Sequence, residues 1–400
     1  MGQVTVKRIE PGISRRRGPQ GTSYVAVVEL PRGPDGKRRQ QRRTFDTLEQ
    51  ARSWRIRTLH ELRAGIYVEP SRQTLGEYLE EWLASVEASG DVTPGTAINY
   101  RVSLKRARPL FGVRLCDLTT ARISAWFTAL GKSGDYAPTT LGQTLLTLRM
   151  ALEDAVRLEL LPRNPAEPIR APRYLPEEPR PLTAEEARRL LAAAAGDWYE
   201  PLWRFGLETG VRIGEALALR WEDVDFTAGV VRIERTVSRQ TYSRYGESRP
   251  KSLAGRRVIP LSPAALDRLR RHHEAEVERR RLDPAWNPEG YVFPSVQGRR
   301  LNARLVNDKL AELCRRLGIA ERTYHDLRHT HGTLLIAAGV DPRTVQQRLG
   351  HANVAITLAL YVHPDAASHA RAARVIGDLL AAPGDKIVTK PEAVTENLEE

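Results

Sequence analysis

Histidine and arginine residues stand together in one short segment of the sequence, TyrHisAspLeuArgHisThrHis at residues 324–331. His325 and Arg328 are three positions apart, so both would lie on the same face of a helix. A guanidinium can hold phosphate oxygens while a neighbouring imidazole accepts or donates a proton near neutral pH, so the pair predicts phosphate chemistry. Two alternatives stay open. His325 and His329, with His331 nearby, could ligate a metal, although no carboxylate or thiolate partner is evident, and His329 and His331 could be purely structural.

A second segment, ThrGlyValArgIleGlyGlu at residues 209–215, lies between two stretches with a helical pattern. Gly210 can end the first helix in a left-handed conformation and place Arg212 in the opening turn of the next. A helix N-terminus already favours a phosphate, and an arginine there adds two parallel donors. Because the chain is rich in arginine, this segment alone does not identify a site.

The third segment, residues 349–363, contains a histidine and a tyrosine. Gly350 fits the end of one helix and is followed by His351. A short helix is predicted over Ala352–Leu360 and leads to Tyr361. A tyrosine with apolar neighbours is typical of a core or an interface, so the function of this one depends on the residues that surround it.

Together these segments resemble the motifs of the tyrosine recombinases of the phage integrase family. Five residues match that family in order and spacing, namely Arg212, His325, Arg328, His351 and Tyr361, and Lys251 is a sixth candidate. Lys251, in ProLysSerLeuAlaGlyArgArgValIleProLeu, lies just before a predicted strand, as the hairpin lysine of the family does. The likeness extends over the chain to about residue 380, but only these motifs are specific.

The resemblance implies a site-specific DNA recombinase, an integrase that cleaves and rejoins strands to integrate and excise a mobile element or phage genome. Tyr361 would attack the scissile phosphate and become linked to its 3′ side. Because this bond conserves the energy of the phosphodiester, no nucleotide cofactor is expected. The GlyLysSer at residues 131–133 agrees with this, since Trp126 stands where a phosphate-binding loop requires glycine.

The other motif residues have implied roles around the same phosphate. Arg212, Arg328 and His351 would hold its nonbridging oxygens, a task that many enzymes give to a divalent metal, so no metal is expected. His325 would assist the loss of the tyrosine proton, and Lys251 would protonate the departing 5′-oxygen.

The implied partners are double-stranded DNA, with core and arm attachment sites, and three further copies of the chain in a homotetramer. An excisionase and a host DNA-bending protein are further candidates. Two other functions stay open: a type IB-like topoisomerase, which shares the chemistry without site preference, and a DNA-binding regulator that has kept the fold without activity.

The composition agrees with a nucleic-acid partner. The 400 residues carry a formal charge of +13 and have a pI near 10.0, which favours a large polyanion. The longest apolar run, Leu190–Ala195, is too short to cross a bilayer. No signal peptide is recognisable, so we expect a cytoplasmic protein without a membrane partner. With only Cys116 and Cys314, neither a disulfide framework nor a cysteine-rich zinc site is expected.

Residues 1–70 concentrate the basic character, with 15 basic and 7 acidic side chains. Strands are predicted at Val4–Glu10, Ser23–Leu30 and Lys37–Phe45, followed by a helix over Thr47–Ala64. This small α+β domain resembles the arm-type DNA-binding domain of bivalent integrases. Four arginines of its basic ribbon are the candidate DNA contacts: Arg38, Arg39, Arg42 and Arg43. The alternative is a solvated charged hairpin.

Residues 71–170 have apolar residues spaced by three and four, which predicts an all-α domain of four helices. It resembles the core-binding, SAM-like domain of the family. Its core is predicted to contain Leu110, Leu118, Ile123, Leu141, Leu145, Leu148, Leu152 and Val156. Seven prolines within residues 162–181 then predict a linker.

Residues 171–382 are predicted to form a mainly α catalytic domain of α+β class. A capping box at residues 183–186 opens it, and a strand pair is predicted at Gly229–Ser238 and Arg256–Leu261. Residues 383–400 are acidic, which predicts a flexible tail that can dock on a partner.

Overall fold

The computed structural model describes most of the chain, namely residues 5–18, 21–32, 36–65, 67–69, 71–174, 180–241, 245–248, 255–351, 353, 374 and 376. The chain divides into two compact units, Met1–Pro176 and Glu177–Glu400. Mixed helix and sheet is found in both. The predicted tail, and the predicted helix over Ala352–Leu360 except Asn353, lie outside the described residues.

The first unit opens with a sheet module of four antiparallel strands and one helix: β1 (Thr5–Glu10), β2 (Ile13–Gly18), β3 (Gly21–Leu30), β4 (Arg39–Phe45) and α1 (Leu48–Arg63). The strands follow one another in the sheet in chain order, and Ile13, Ala26 and Ala51 form the centre of its small core. We predicted three strands. The strand that was not predicted, β2, contains three consecutive arginines. They interrupt the alternation of apolar and polar residues by which a strand is recognised in a sequence.

A helical bundle follows, and its described residues form four α-helices: α2 (Leu75–Ser89), α3 (Pro94–Leu104), α4 (Thr120–Lys132) and α5 (Pro138–Arg157). Short 3₁₀ turns at Lys105–Leu110 and Leu115–Asp117 join α3 to α4. Thr74 and Glu77 form a capping box at the start of α2. The predicted core is confirmed, with Val156 only partly buried at its edge.

The second unit contains seven described helices: α6 (Ala184–Ala193), α7 (Glu200–Thr209), α8 (Ile213–Ala218), α9 (Pro263–Leu282), α10 (Ala303–Arg316), α11 (Tyr324–Ala337) and α12 (Pro342–Leu349). Its described strands are β5 (Val224–Asp225), β6 (Val230–Ile233), β7 (Thr236–Arg239), β8 (Tyr245–Ser248) and β9 (Arg257–Pro260). A 3₁₀ turn at Trp221–Asp223 precedes β5.

These strands form two small sheets, one in the order β5-β6-β9 and one a β7-β8 hairpin. The strand predicted over Gly229–Ser238 is therefore divided between two sheets. The predicted pairing with Arg256–Leu261 is confirmed for its first half, where Val231 pairs with Ile259. Among the described helices, none has both the length and the apolar composition needed to span a bilayer.

Candidate active site

Arg212 is positioned by a tight turn between α7 and α8. Gly210 ends α7 at a φ of 67°, in the left-handed region, and Arg212 is the N-cap of α8, as the sequence predicted. A Cβ atom on Gly210 would lie 2.6 Å from side-chain atoms of both His331 and Leu349. Only glycine fits this turn, because it permits the positive φ and lets α11 and α12 approach closely.

Glu215 holds the Arg212 side chain. It is 2% exposed, and its carboxylate accepts hydrogen bonds from Nη1 of Arg212 at 2.8 Å and from the Arg212 backbone N–H at 2.9 Å. Burial alone raises the pKa of Glu215, but the hydrogen bond and charge of Arg257, together with the charge of Arg212, lower it overall. Glu215 is therefore an ionised, buried carboxylate between two guanidiniums.

Arg328 and His325 both lie on α11, as predicted. Arg328 is 1% exposed and donates from Nη1 to the carbonyl of Gly210 at 2.7 Å. His325 lies nearer the surface, with its ring 4.6 Å from the ring of His329 in an edge-to-face arrangement. Partial desolvation, the His329 imidazole and the Arg328 guanidinium lower the pKa of His325, so it is a neutral proton acceptor at pH 7.

His351 follows the left-handed Gly350 that ends α12. It is 7% exposed, and its backbone forms hydrogen bonds in both directions with Gln346. Burial and the guanidiniums of Arg328 and Arg212 lower the pKa of His351 to about 4. The imidazole is therefore neutral at pH 7 and able to donate one hydrogen bond.

Two inter-segment hydrogen bonds bring these residues together. Nη2 of Arg212 donates to the carbonyl of Gly350 at 2.9 Å, and Arg328 donates to Gly210. His325 and His351 each interact electrostatically with both Arg212 and Arg328. Four of the six motif residues therefore converge: two guanidiniums and two imidazoles, from the start of α8, α11 and the end of α12. Such a group can hold an anionic phosphate and exchange a proton with it.

Lys251 and Tyr361 lie outside the described residues. In the part of the chain that the structure describes, no group of three or more His, Cys, Asp or Glu side chains is placed to hold a metal ion. His331, one member of the alternative metal set, is bound by protein groups on both ring nitrogens. Its Nδ1 donates to the Leu207 carbonyl, and its Nε2 accepts from Nε of Arg348.

Sequence reasoning missed two charged residues that support this site, Glu215 and Arg257. The signal for Glu215 was present, since a carboxylate three residues after Arg212 matches a capping box. Arg257 gave no such signal, because it comes 42 positions after its partner Glu215 in an arginine-rich chain.

The candidate DNA contacts of the sheet module lie on different faces of the sheet. Arg43 pairs with the buried Ala26 on the side of α1, and its guanidinium lies over the Phe45 ring at 5.6 Å. Arg39 forms an ion pair with Glu69. Arg42 pairs with Val27 and points to the opposite side, because neighbouring residues of a strand alternate. Arg38 is exposed just before β4.

The face of the sheet away from α1 carries two further arginines. Arg16 pairs with Ser23, and Arg8 pairs with Ser14, which pairs in turn with Val25. Paired residues of neighbouring strands point to the same side of a sheet. Ser23 and Val25 lie on the same side of β3 as Val27, the partner of Arg42, so Arg8 and Arg16 are on the Arg42 side. We define Arg8, Arg16 and Arg42 as the open basic face; all three are exposed.

Comparisons with known proteins agree with the arrangement of the second unit. Residues 180–368 match the model of the phage integrase family. A tyrosine recombinase XerC-like protein of Caldanaerobacter subterraneus subsp. tengcongensis is 25% identical over 89% of this chain and 96% of its own length. An integrase of Streptomyces ambofaciens is 26% identical over 84% of this chain and 88% of its own length.

Solved structures share the fold. The Tn1549 transposon integrase in complex with a circular intermediate DNA has a TM-score of 0.65 and 20% identity, over 76% of this chain and 99% of that one. A lambda integrase dimer bound to a COC′ core site has a TM-score of 0.54 and 17% identity, over 89% of this chain and 94% of that one. The second unit, which contains the matched residues 180–368, therefore belongs to the phage integrase family of tyrosine recombinases, enzymes that cleave and rejoin DNA at specific sites.

Proposed function

We propose that this recombinase is an integrase that cleaves DNA with Tyr361 and forms a 3′-phosphotyrosyl intermediate. The observation that carries the proposal is the convergence of Arg212, His325, Arg328 and His351, held by the bonds from Arg212 to Gly350 and from Arg328 to Gly210. The ten-residue spacing from His351 to Tyr361 is that of the family motifs and supports Tyr361 as the nucleophile.

In this proposal each polar group has one task at the phosphate. Arg212, Arg328 and His351 stabilise the nonbridging oxygens as negative charge develops on them. The neutral imidazole of His325 accepts the proton of the attacking phenol, whose reference pKa is about 10. Lys251 protonates the 5′-oxygen as it leaves. The 5′-hydroxyl of a second strand then attacks the phosphotyrosine and releases the enzyme.

The test is covalent capture. The full chain is incubated with nicked duplexes made from the genomic DNA that flanks its gene, and adducts that survive denaturant and EDTA are isolated and sequenced. We expect an adduct at one defined position with the wild-type protein and none with Tyr361→Phe, while DNA binding is retained. An adduct that persists in Tyr361→Phe contradicts the assignment of the nucleophile.

We propose that the open basic face contacts DNA at arm sites. Three guanidiniums on one exposed side of a sheet suit phosphates and base edges in a groove. Of the four arginines predicted from sequence, Arg42 has the strongest support. Arg42→Gln should weaken DNA binding and reduce its salt dependence by about one counterion. Arg43→Gln, on the α1 side, is the matched control; an equal loss in both variants contradicts the proposed face.

The proposed substrate is the attachment DNA of a mobile element or phage, and the proposed assembly is four copies acting on two duplexes. The lambda integrase tetramer bound to a Holliday junction, a solved structure that matches this fold with a TM-score of 0.54, supports this assembly. An excisionase and a host DNA-bending protein stay predictions of the resemblance.

A further inference from the structure

Arg257, at the start of β9, is a buried arginine that is not one of the six motif residues. Its side chain is 7% exposed. Nη2 and Nη1 donate to the two carboxylate oxygens of Glu215 at 2.8 and 3.2 Å, and Nε donates to the carbonyl of Arg348 at 2.7 Å. One guanidinium therefore connects β9, the start of α8 and the end of α12.

These bonds complete a closed circuit, which we call the polar ring. Arg212 binds Glu215, Glu215 binds Arg257, and Arg257 binds the Arg348 carbonyl. Gly350 follows two residues after Arg348, and its carbonyl accepts a hydrogen bond from Arg212, which closes the ring. The ring therefore connects the Arg212 guanidinium to the backbone of the residue before His351.

We propose that Arg257 is a positioning residue of the recombination reaction, which holds Arg212 and His351 at the separation that one phosphate requires. The inference rests on the proposed function of the site. Arg257 occupies both oxygens of Glu215, so that the carboxylate cannot turn. Without it, Glu215 is free to follow Arg212, and the Arg348 carbonyl loses its donor.

The end of α12 has a second anchor, which keeps it folded when Arg257 is replaced. The Arg348 guanidinium donates to His331, to the Glu208 carbonyl and to the Pro260 carbonyl, at 3.0–3.1 Å. These bonds fix the helix to α7, α11 and β9 without Glu215. Loss of Arg257 should therefore shift the site without releasing α12.

The test compares Arg257→Met with Arg235→Met. Arg235 forms a similar two-bond ion pair with Asp223, at 2.7 and 2.8 Å, but belongs neither to the motifs nor to the polar ring. Both variants lose one charge and a two-bond ion pair with a carboxylate, and Arg235→Met also loses the pair of Arg235 with Glu222 at 2.8 Å. Adduct formation is measured on a nicked duplex that contains the cleavage position mapped with the wild-type protein. We expect Arg257→Met to slow it about 10- to 100-fold at unchanged DNA affinity, and Arg235→Met to leave it within about threefold.

A double-mutant cycle separates positioning from loss of stability. In an Arg212→Lys background, Arg257→Met should add less than about a threefold defect, because both changes disturb the same contact. Arg257→Lys keeps the charge and one bond, so its rate should lie between those of wild type and Arg257→Met. Full additivity, or equal defects in Arg257→Met and Arg235→Met, overturns the inference.

A crystal structure tests the inference without any measurement of activity. A crystal structure of Arg257→Met, or of Arg257→Lys if the first does not fold, should show the Arg212–Gly350 hydrogen bond broken; an intact bond overturns the inference. Absence of any adduct with the wild-type protein instead contradicts the proposed function.

Discussion

The helical bundle and the polar ring are stabilised in opposite ways. The centre of the bundle is aliphatic, with Leu145, Leu148 and Leu152 wholly buried, and its buried polar residues are neutral in the described part of that region. The ring instead contains a buried carboxylate and a buried guanidinium, Glu215 and Arg257. An aliphatic core tolerates changes of shape, whereas a buried charge depends on each partner. The protein therefore concentrates its sensitivity to mutation around the polar ring.

The largest difference is expected when one carboxylate is removed from each region. Glu215→Leu leaves the guanidinium of Arg257 without its buried counter-charge and should lower the free energy of unfolding by about 3–5 kcal/mol. Glu80→Leu in the bundle removes a carboxylate that is 65% exposed. The loss of its ion pair with Arg101 should therefore lower the free energy of unfolding by less than about 1 kcal/mol. Urea unfolding of both variants measures the contrast. Similar losses would show that the ring carries no special dependence on charge.

Acid should destabilise the second unit more than the bundle. The pKa of His331 is lowered to about 4 by burial and by the Arg348 and Arg328 guanidiniums, despite its bond to the Leu207 carbonyl, and that of His351 also lies at about 4. A histidine in the unfolded chain has a pKa of about 6.5, so between pH 4 and pH 6.5 the unfolded chain binds more protons than the folded protein. Stability is therefore complete above pH 6.5 and falls towards pH 4, by roughly 1–2 kcal/mol per imidazole between pH 7 and pH 5.

Peptide-resolved hydrogen exchange at pH 7 and pH 5, corrected for intrinsic rates, locates this effect. Residues 71–174 contain no histidine, so they act as an internal reference. His331→Gln should reduce the acid sensitivity of α7, α11 and α12, and His60→Gln in the sheet module should not. An equal loss of protection in the bundle contradicts the assignment to the buried imidazoles.

The smallest contrast concerns two buried tyrosines. The hydroxyl of Tyr78 in the bundle donates to the Ala151 carbonyl, whereas the hydroxyl of Tyr324 in α11 has no hydrogen-bond partner among the described residues. Tyr78→Phe should cost about 1 kcal/mol, and Tyr324→Phe should be neutral or stabilising by up to about 1 kcal/mol. Thermal unfolding of the two variants gives the comparison, and a clear loss in Tyr324→Phe would contradict it.

The sequence predicted the bundle well because leucines at helical spacing report directly on a buried face. The turn at Gly210 and the stop at Gly350 were also predictable, since both need a left-handed residue. Other boundaries were less accurate. The sequence pattern predicts a helix from Pro138 to Leu161, but α5 ends at Arg157, and Glu159 adopts a positive φ that no local signal indicates.

The motif residues of the site were visible in the sequence, but the groups that hold them were not. Arg257 binds Glu215, which is 42 positions away in the sequence, and Arg348 binds His331, which is 17 positions away. Such long-range pairing leaves no local pattern in the sequence. The sheet module shows the same limit. Alternation along β4 separates Arg42 from Arg39 and Arg43, but the strand pairing is needed to show that Arg16 of β2, a strand that the sequence did not reveal, shares the face of Arg42.

The central claim is that Tyr361 attacks a phosphate held by Arg212, Arg328 and His351. Protease digestion of the captured adduct, followed by nuclease treatment and mass spectrometry, identifies the residue that retains the nucleotide. We expect a 3′-linked nucleotide on Tyr361, at wild-type yield in Arg235→Met and at strongly reduced yield in Arg328→Lys. A nucleotide on any other residue, or an undiminished yield in Arg328→Lys, would contradict it.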